Sequence, residues 1–167
     1  MSNIPAVRGT VSQASHEMIQ LVSFDLGGEE YGVDVLAVRE IIRMPAITKM
    51  PNTPEYVDGI INLRGTVVPI ISLRKRFGLC ESELDHNSRI LVMEVGDAMT
   101  GFVVDGVSEV IRIQSSEIQP PPSLVLSGGI SQEFITGVFN HAERLLIVMD
   151  VGRMFSENEQ DLLGGIQ

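Results

Sequence analysis

Apolar and polar positions alternate in short runs along this chain, with a break every eight to twelve residues. Leu21-Val22-Ser23-Phe24-Asp25-Leu26 alternates up to Gly27-Gly28-Glu29-Glu30, a turn signal, and the chain resumes at Tyr31-Gly32-Val33. Ile60 to Leu63 and Val67 to Leu73 flank a tight bend at Arg64-Gly65, and Ile90 to Val95 and Gly101 to Val104 flank Gly96-Asp97. Leu145 to Val151 is a continuous apolar run. Period-two runs bounded by glycine and polar clusters predict strands, and their spacing predicts an all-β sandwich or barrel. Val35 to Ile42, apolar at 35, 36, 38, 41 and 42, allows one helical turn before a strand. Residues 153–167 allow a short C-terminal helix.

The pattern occurs twice. Shifted by 69 positions, residues 22–51 fall on 91–120 with eight identities, among them Gly27/Gly96, Gly32/Gly101, Val38/Val107, Glu40/Glu109 and Arg43/Arg112. Average residue usage would give roughly two or three. Paired strands alone would explain the apolar matches but not the recurrence of Glu40 and Arg43. At an offset of 78, Glu55 to Gly59 meets Glu133 to Gly137, Asn62 meets Asn140 and Phe77 meets Phe155. The change of offset is a nine-residue insertion in the second copy, near Pro120-Pro121-Pro122 and Ser127-Gly128-Gly129, residue types that suit loops. The chain thus reads as two copies of one unit, about 22–78 and 91–156, with strand exchange between them left open. Residues 1–18 read as a flexible tail and 157–167 as a tail or helix. Short strands curled into a barrel lose most of their exposed edges, and two packed barrels leave a groove suited to a partner helix.

Composition narrows the class. Of 167 residues 44% are hydrophobic but only 5% aromatic, with no Trp, so aliphatic side chains must fill the interior. Twelve Lys and Arg against 22 Asp and Glu give a net charge of −10, which disfavours nucleic acid and anionic lipid and allows either a basic partner or a solvated surface. The single cysteine, Cys80, excludes an internal disulfide and fits a reducing compartment; its neighbour Leu79 suggests a half-buried thiol. No signal peptide or spanning run is visible, so the expected location is cytoplasmic, without membrane insertion.

Chemistry is sparse. His16 falls in the N-terminal tail, His86 in the Asp85-His86-Asn87 loop and His141 in a hairpin turn, none with metal-ligand spacing. Solvent-exposed loop histidines are the expectation. No nucleophile elbow, phosphate loop or dinucleotide fingerprint is present. Glu29-Glu30 reads as a turn and Asp58 precedes Gly59, with no sign of an acid–base pair. No catalytic residue, metal or cofactor is expected, and a binding module is the stronger class.

Three longer strings carry a family pattern. They are Phe24-x-Leu26…Glu30-Tyr31-Gly32-Val33-Asp34-Val35…Val38-x-Glu40-Ile41, then Pro54-x-Tyr56-Val57-x-Gly59-Ile60-Ile61-Asn62-Leu63-Arg64-Gly65-x-Val67-Val68-Pro69, and finally Gly101 to Val110 with Phe134 to Val138. Over residues 19–156 the chain resembles the CheW coupling proteins of bacterial chemotaxis. The resemblance implies two packed five-stranded barrels of the Src-homology-3-like type. It implies a non-catalytic adaptor joining the regulatory domain of the histidine kinase CheA to the cytoplasmic tip of methyl-accepting chemotaxis receptors. It also implies recruitment to membrane-associated arrays and rings shared with CheA and other CheW copies.

Position by position, the resemblance implies kinase contacts at Val38 and Gly59, and receptor contact or coupling at Glu40, Arg64, Val107 and Val110. Plainer readings stand beside these. The valines suit a strand core, Gly59 suits a backbone no other residue adopts, and Glu40 is repeated by Glu109. Arg64 sits in a tight bend and is unique to the first copy, where Ala142 aligns in the second. The competing functions are a related adaptor in a surface-motility or second-messenger array, and a small-molecule-binding or enzymatic barrel.

Overall fold

The computed structural model describes residues 17–80, 84–121 and 134–155. In chain order its strands are β1 (Met18–Leu26), β2 (Glu29–Asp34), β3 (Val38–Arg43), β4 (Val57–Leu63), β5 (Thr66–Ser72), β6 (Arg89–Val95), β7 (Ala98–Val104), β8 (Gly106–Gln114), β9 (Ile135–His141) and β10 (Arg144–Met149). They form two five-stranded sheets, ordered β8-β1-β2-β10-β9 and β3-β6-β7-β5-β4. Each sheet takes a hairpin from one sequence repeat and three strands from the other. The joins between repeats are antiparallel at β1 on β8 and β3 on β6 and parallel at β2 on β10 and β7 on β5; the parallel ones place Gly32 opposite Val148 and Gly101 opposite Ile70. A Cβ on Gly32 would stand 2.7 Å from Leu146 Cδ2, and one on Gly101 2.7 Å from Ile70 Cδ1. This crowding accounts for the recurrence of the two glycines.

Each sheet curls until its ends meet. Thr48, beyond β3, exchanges backbone hydrogen bonds with Ile60 of β4 at 2.9 and 2.8 Å; Gln119, beyond β8, does the same with Val138 of β9 at 2.8 Å. Alternation then sorts the side chains into three cores. Ile61, Val68, Ile70, Ile90 and Val92 fill the second sheet, and Leu21, Ile111, Ile113, Leu146 and Val148 the first. The largest cluster draws on both sheets, with Val22, Phe24, Tyr31 and Val33 from the first and Leu91, Met93 and Phe102 from the second. It is the seam that makes one body of the two sheets.

A polar clamp crosses the same seam. Arg74, in the one-turn helix α1 (Leu73–Arg76), donates from Nε to Asp105 Oδ1 at 3.1 Å and from Nη2 to Oδ2 at 2.6 Å, while the Gly27 N–H donates to Oδ2 at 2.9 Å. Burial by itself raises the Asp105 carboxyl, but the hydrogen bond from Arg74, the Gly27 N–H and the charge of Arg74 outweigh it and hold it below the usual carboxylate range. A depressed carboxyl stabilises the fold above its unfolded value, about 3.9, and that contribution is lost as pH falls through the lower folded value. Asp105→Asn should therefore cost about 1 kcal/mol at neutral pH, a modest figure because the side chain is 34% exposed. The two proteins should converge in stability as pH falls below the lowered folded value of Asp105. Urea titrations across pH 2–7 test this; a constant difference would rule the clamp out as the source.

Three expectations need correction. Glu30 is not in a turn: Gly27-Gly28 suffices for the reversal, and Glu30 lies buried in β2, where the Ser23 hydroxyl donates to its Oε2 at 2.5 Å. Cys80 is exposed, because the chain leaves α1 through Gly78 at φ 74° and turns outward. His141 is no loop residue but ends β9 and reaches Glu109. The helical turn before β3 is a 3-10 turn over Val35–Ala37, and another covers Val151–Met154. Residues 122–133 of the insertion region, the tail with His16, and residues 156–167 of the expected C-terminal helix lie outside the described residues. No helix among the described residues is long and apolar enough to cross a membrane.

Candidate functional site

The repeated Val-x-Glu segment gains its geometry from a bulge. In β3 the register against β6 shifts between Val38 and Glu40; in β8 the register against β1 shifts at Ser23/Phe24, skipping Ser108. One extra residue reverses the facing of all that follow. Val38 and Ile41, three apart, therefore share a face, alongside Met93 and Leu91 of the seam. Val107 and Val110 share the matching face, alongside Phe24 and Val22. Val38 and Val107 pack half-buried against the seam, while Ile41 and Val110 are 42% and 51% exposed. Each sheet thus carries an apolar margin where the seam runs out into solvent.

The same bulge turns the glutamates the other way, toward the hairpin tips. Arg64 Nη1 donates to Glu40 Oε2 at 3.0 Å, and Arg64 Nη2 donates to Glu40 Oε1. Arg64 and Gly65 have φ of 52° and 91°, so the β4–β5 loop is a two-residue turn of the primed type, with the Gly65 N–H donating to Asn62 Oδ1 at 2.7 Å. The Arg64 hydrogen bond holds Glu40 below the usual carboxylate range, and the Arg64 guanidinium is raised in return. Ala142 and Glu143, at φ 50° and 68°, repeat the turn in the first sheet, where Glu109 Oε2 meets His141 Nε2 at 3.2 Å. Both glutamates tie an edge strand to the opposite hairpin. Only Arg64 does so while remaining 70% exposed and able to meet a partner.

Gly59 is buried at φ 151°, and a Cβ there would lie 2.2 Å from the Thr48 carbonyl oxygen. It supports the closure of the second sheet from within. The structure brings Glu40 and Arg64 together and puts Val38 on the same sheet; Val107 and Val110 lie on the other. Ile41 completes the first margin and was missed, although the offset of 69 pairs it with Val110.

A second feature breaks the symmetry. The repeat aligns Asp105 with Leu36 and Arg74 with Gly152, so the clamp has no counterpart at the other end of the seam. An apolar groove of about 510 Å³ opens there between Ile19, Leu21, Val33 and Ile118, with Leu36 82% exposed at its rim. Among the described residues no three His, Cys, Asp or Glu side chains converge as metal ligands.

Residues 20–159 match the CheW-like domain. The chain is 36% identical over 159 residues to the chemotaxis protein CheW of Klebsiella aerogenes, covering 94% of this chain and 95% of that one. It is 37% identical over 154 residues to the CheW of Treponema pallidum, covering 90% and 89%. The crystal structure of the scaffolding protein TtCheW from Thermoanaerobacter tengcongensis superposes with a TM-score of 0.76 at 37% identity, covering 84% of this chain and 90% of that one.

Proposed function

Because the chain belongs to the CheW-like domain family, we propose that it is a non-catalytic adaptor coupling chemotaxis receptors to the histidine kinase CheA. The observation that carries this reading is the pair of apolar margins, with the exposed Arg64 held ready by Glu40. Buried strands fix these side chains, so a partner meets a preformed surface. The receptor hairpin packs on the β8 margin, Val107 and Val110, and engages the Glu40–Arg64 pair; the regulatory domain of the kinase packs beside Val38 on the second sheet, whose closure depends on Gly59. Each contact can be weak, since many adaptors tethered in one array raise one another's effective concentration. Rings shared with CheA and further CheW copies, and recruitment from the cytoplasm to the membrane-associated array, follow from that arrangement.

Arg64→Ala is the direct test. Its side chain is mostly solvated, so the melting temperature should not change. Receptor-dependent kinase activation in reconstituted arrays should fall by about fivefold or more, the scale of an allosteric coupling. Wild-type activation by a folded Arg64→Ala protein would overturn the assignment.

A further inference from the structure

Most cations in the described structure are already engaged. Arg39, Arg64, Arg74 and Lys75 close onto carboxylates. Arg89 and Arg144 reach backbone carbonyls. Arg43 and Arg112 have neither kind of partner among the described residues; Lys49, in the loop after β3, shares that state but stands on neither margin. Arg43 and Arg112 are the repeat's own pair, identical at an offset of 69.

Their placement matches as well as their identity. Arg43 follows Ile41 by two residues on β3, and Arg112 follows Val110 by two on β8, so each shares the face of its apolar margin. Both are exposed. Arg112 lies opposite Gln20, and Arg43 lies opposite Arg89. Like charges directly across a strand pair oppose folding. A chain of net charge −10 offers many carboxylates that could neutralise two arginines, yet among the described residues these two pair with none and stand beside exposed aliphatic side chains.

We infer that Arg43 and Arg112 each read a carboxylate on the partner that covers the adjacent margin. The partner segment is amphipathic, with an aliphatic ridge against Ile41 or Val110 and an Asp or Glu about one strand step further on. An arginine fork pairs with such a carboxylate in two parallel hydrogen bonds, so it fixes register as well as adding attraction. The two margins then share one recognition grammar, inherited from the repeat, while the rest of each surface selects its own partner. The inference rests on the adaptor reading for the identity of those partners.

Arg43→Glu and Arg112→Glu, in the full chain, test it against two probes: a soluble receptor cytoplasmic fragment and the regulatory domain of the kinase. Arg112→Glu should weaken the receptor fragment by about tenfold and flatten the salt dependence of binding, leaving the kinase domain unaffected. Arg43→Glu should do the reverse. It should also raise the melting temperature, because it removes the repulsion from Arg89, and a stability gain beside a binding loss is not what a structural arginine would give. The charge-neutral Arg43→Gln and Arg112→Gln should fall in between. Reversals that leave both affinities and both salt slopes unchanged, or tighten binding, overturn the carboxylate reading. Effects that appear on the opposite partners support that reading and overturn the assignment of faces. Failure of the wild-type chain to bind either probe overturns the adaptor function and the inference with it.

Discussion

Gly59→Ala should destabilise the protein by about 3–5 kcal/mol, more than any exposed substitution. Two costs coincide at this residue. Its φ of 151° is one that L side chains rarely adopt, and the new methyl would meet the Thr48 carbonyl oxygen at 2.2 Å and Ile47 Cγ2 at 2.7 Å. A side chain could swing aside; a backbone carbonyl that is itself bonded to the Ile60 N–H cannot do so without opening the sheet. The melting temperature should fall by about 10 °C or more. Gly137, where a Cβ would lie 2.7 Å from the Gln119 carbonyl, should respond in the same direction, and Gly106, with nothing nearer than 3.6 Å, should tolerate alanine. A Gly59→Ala protein within 1 kcal/mol of wild type would show that closure through Thr48 is not what this glycine serves. Any binding assay of a Gly59 variant must accordingly be made at matched folded fraction.

Phe102→Ala should cost about 3–5 kcal/mol, with the whole molecule unfolding together. Its ring is fully buried in the seam, 6.1 Å from that of Phe155, and the neighbouring aliphatics cannot collapse into the vacated volume without disturbing both sheets. Two sheets would ordinarily allow two transitions. Here the first sheet takes β8 to β10 from the second repeat, and the second takes β3 to β5 from the first. Neither repeat holds a complete sheet, and the seam that Phe102 fills draws on both sheets, so neither can persist alone. Denaturant unfolding followed by circular dichroism and by amide exchange in β1–β2 and β6–β7 should report one midpoint for the variant as for the wild type. Separate midpoints for the two hairpins would contradict this coupling.

The strands and the repeat were legible because period-two alternation and glycine turns are local. Which strands pair was not. Leu146 to Val148 lies beside Glu30 to Gly32 across more than a hundred residues, and no local signal announces it. At the site, the primed turn at Arg64-Gly65 was readable from its glycine. Its partner was not, since a bulge at Arg39 decides that Glu40 faces the hairpin and Ile41 the seam. The same bulge explains why Val38 and Ile41 share a face at a helix-like spacing of three inside a strand. Glu30 was misplaced for a related reason: a charged residue in an alternating run looks like turn chemistry until Ser23 appears across the strand pair. The repetition of Glu40 by Glu109 had weighed against a special role, and the two pairs share a framework purpose, but only Arg64 supplies a solvent-facing cation.

The parallel join between β2 and β10 also constrains the order in which the chain can be completed. The β1–β2 hairpin emerges from the ribosome about 110 residues before β10. At about 5–20 residues per second, that is an interval of roughly 5–20 s. Throughout it one edge of β2 has no strand to pair with, and until β6 and β7 are made the face bearing Phe24, Tyr31 and Val33 has no seam to enter. Synthesis rate and chaperone access, as well as final stability, then bear on how much of the newly made protein reaches the folded state.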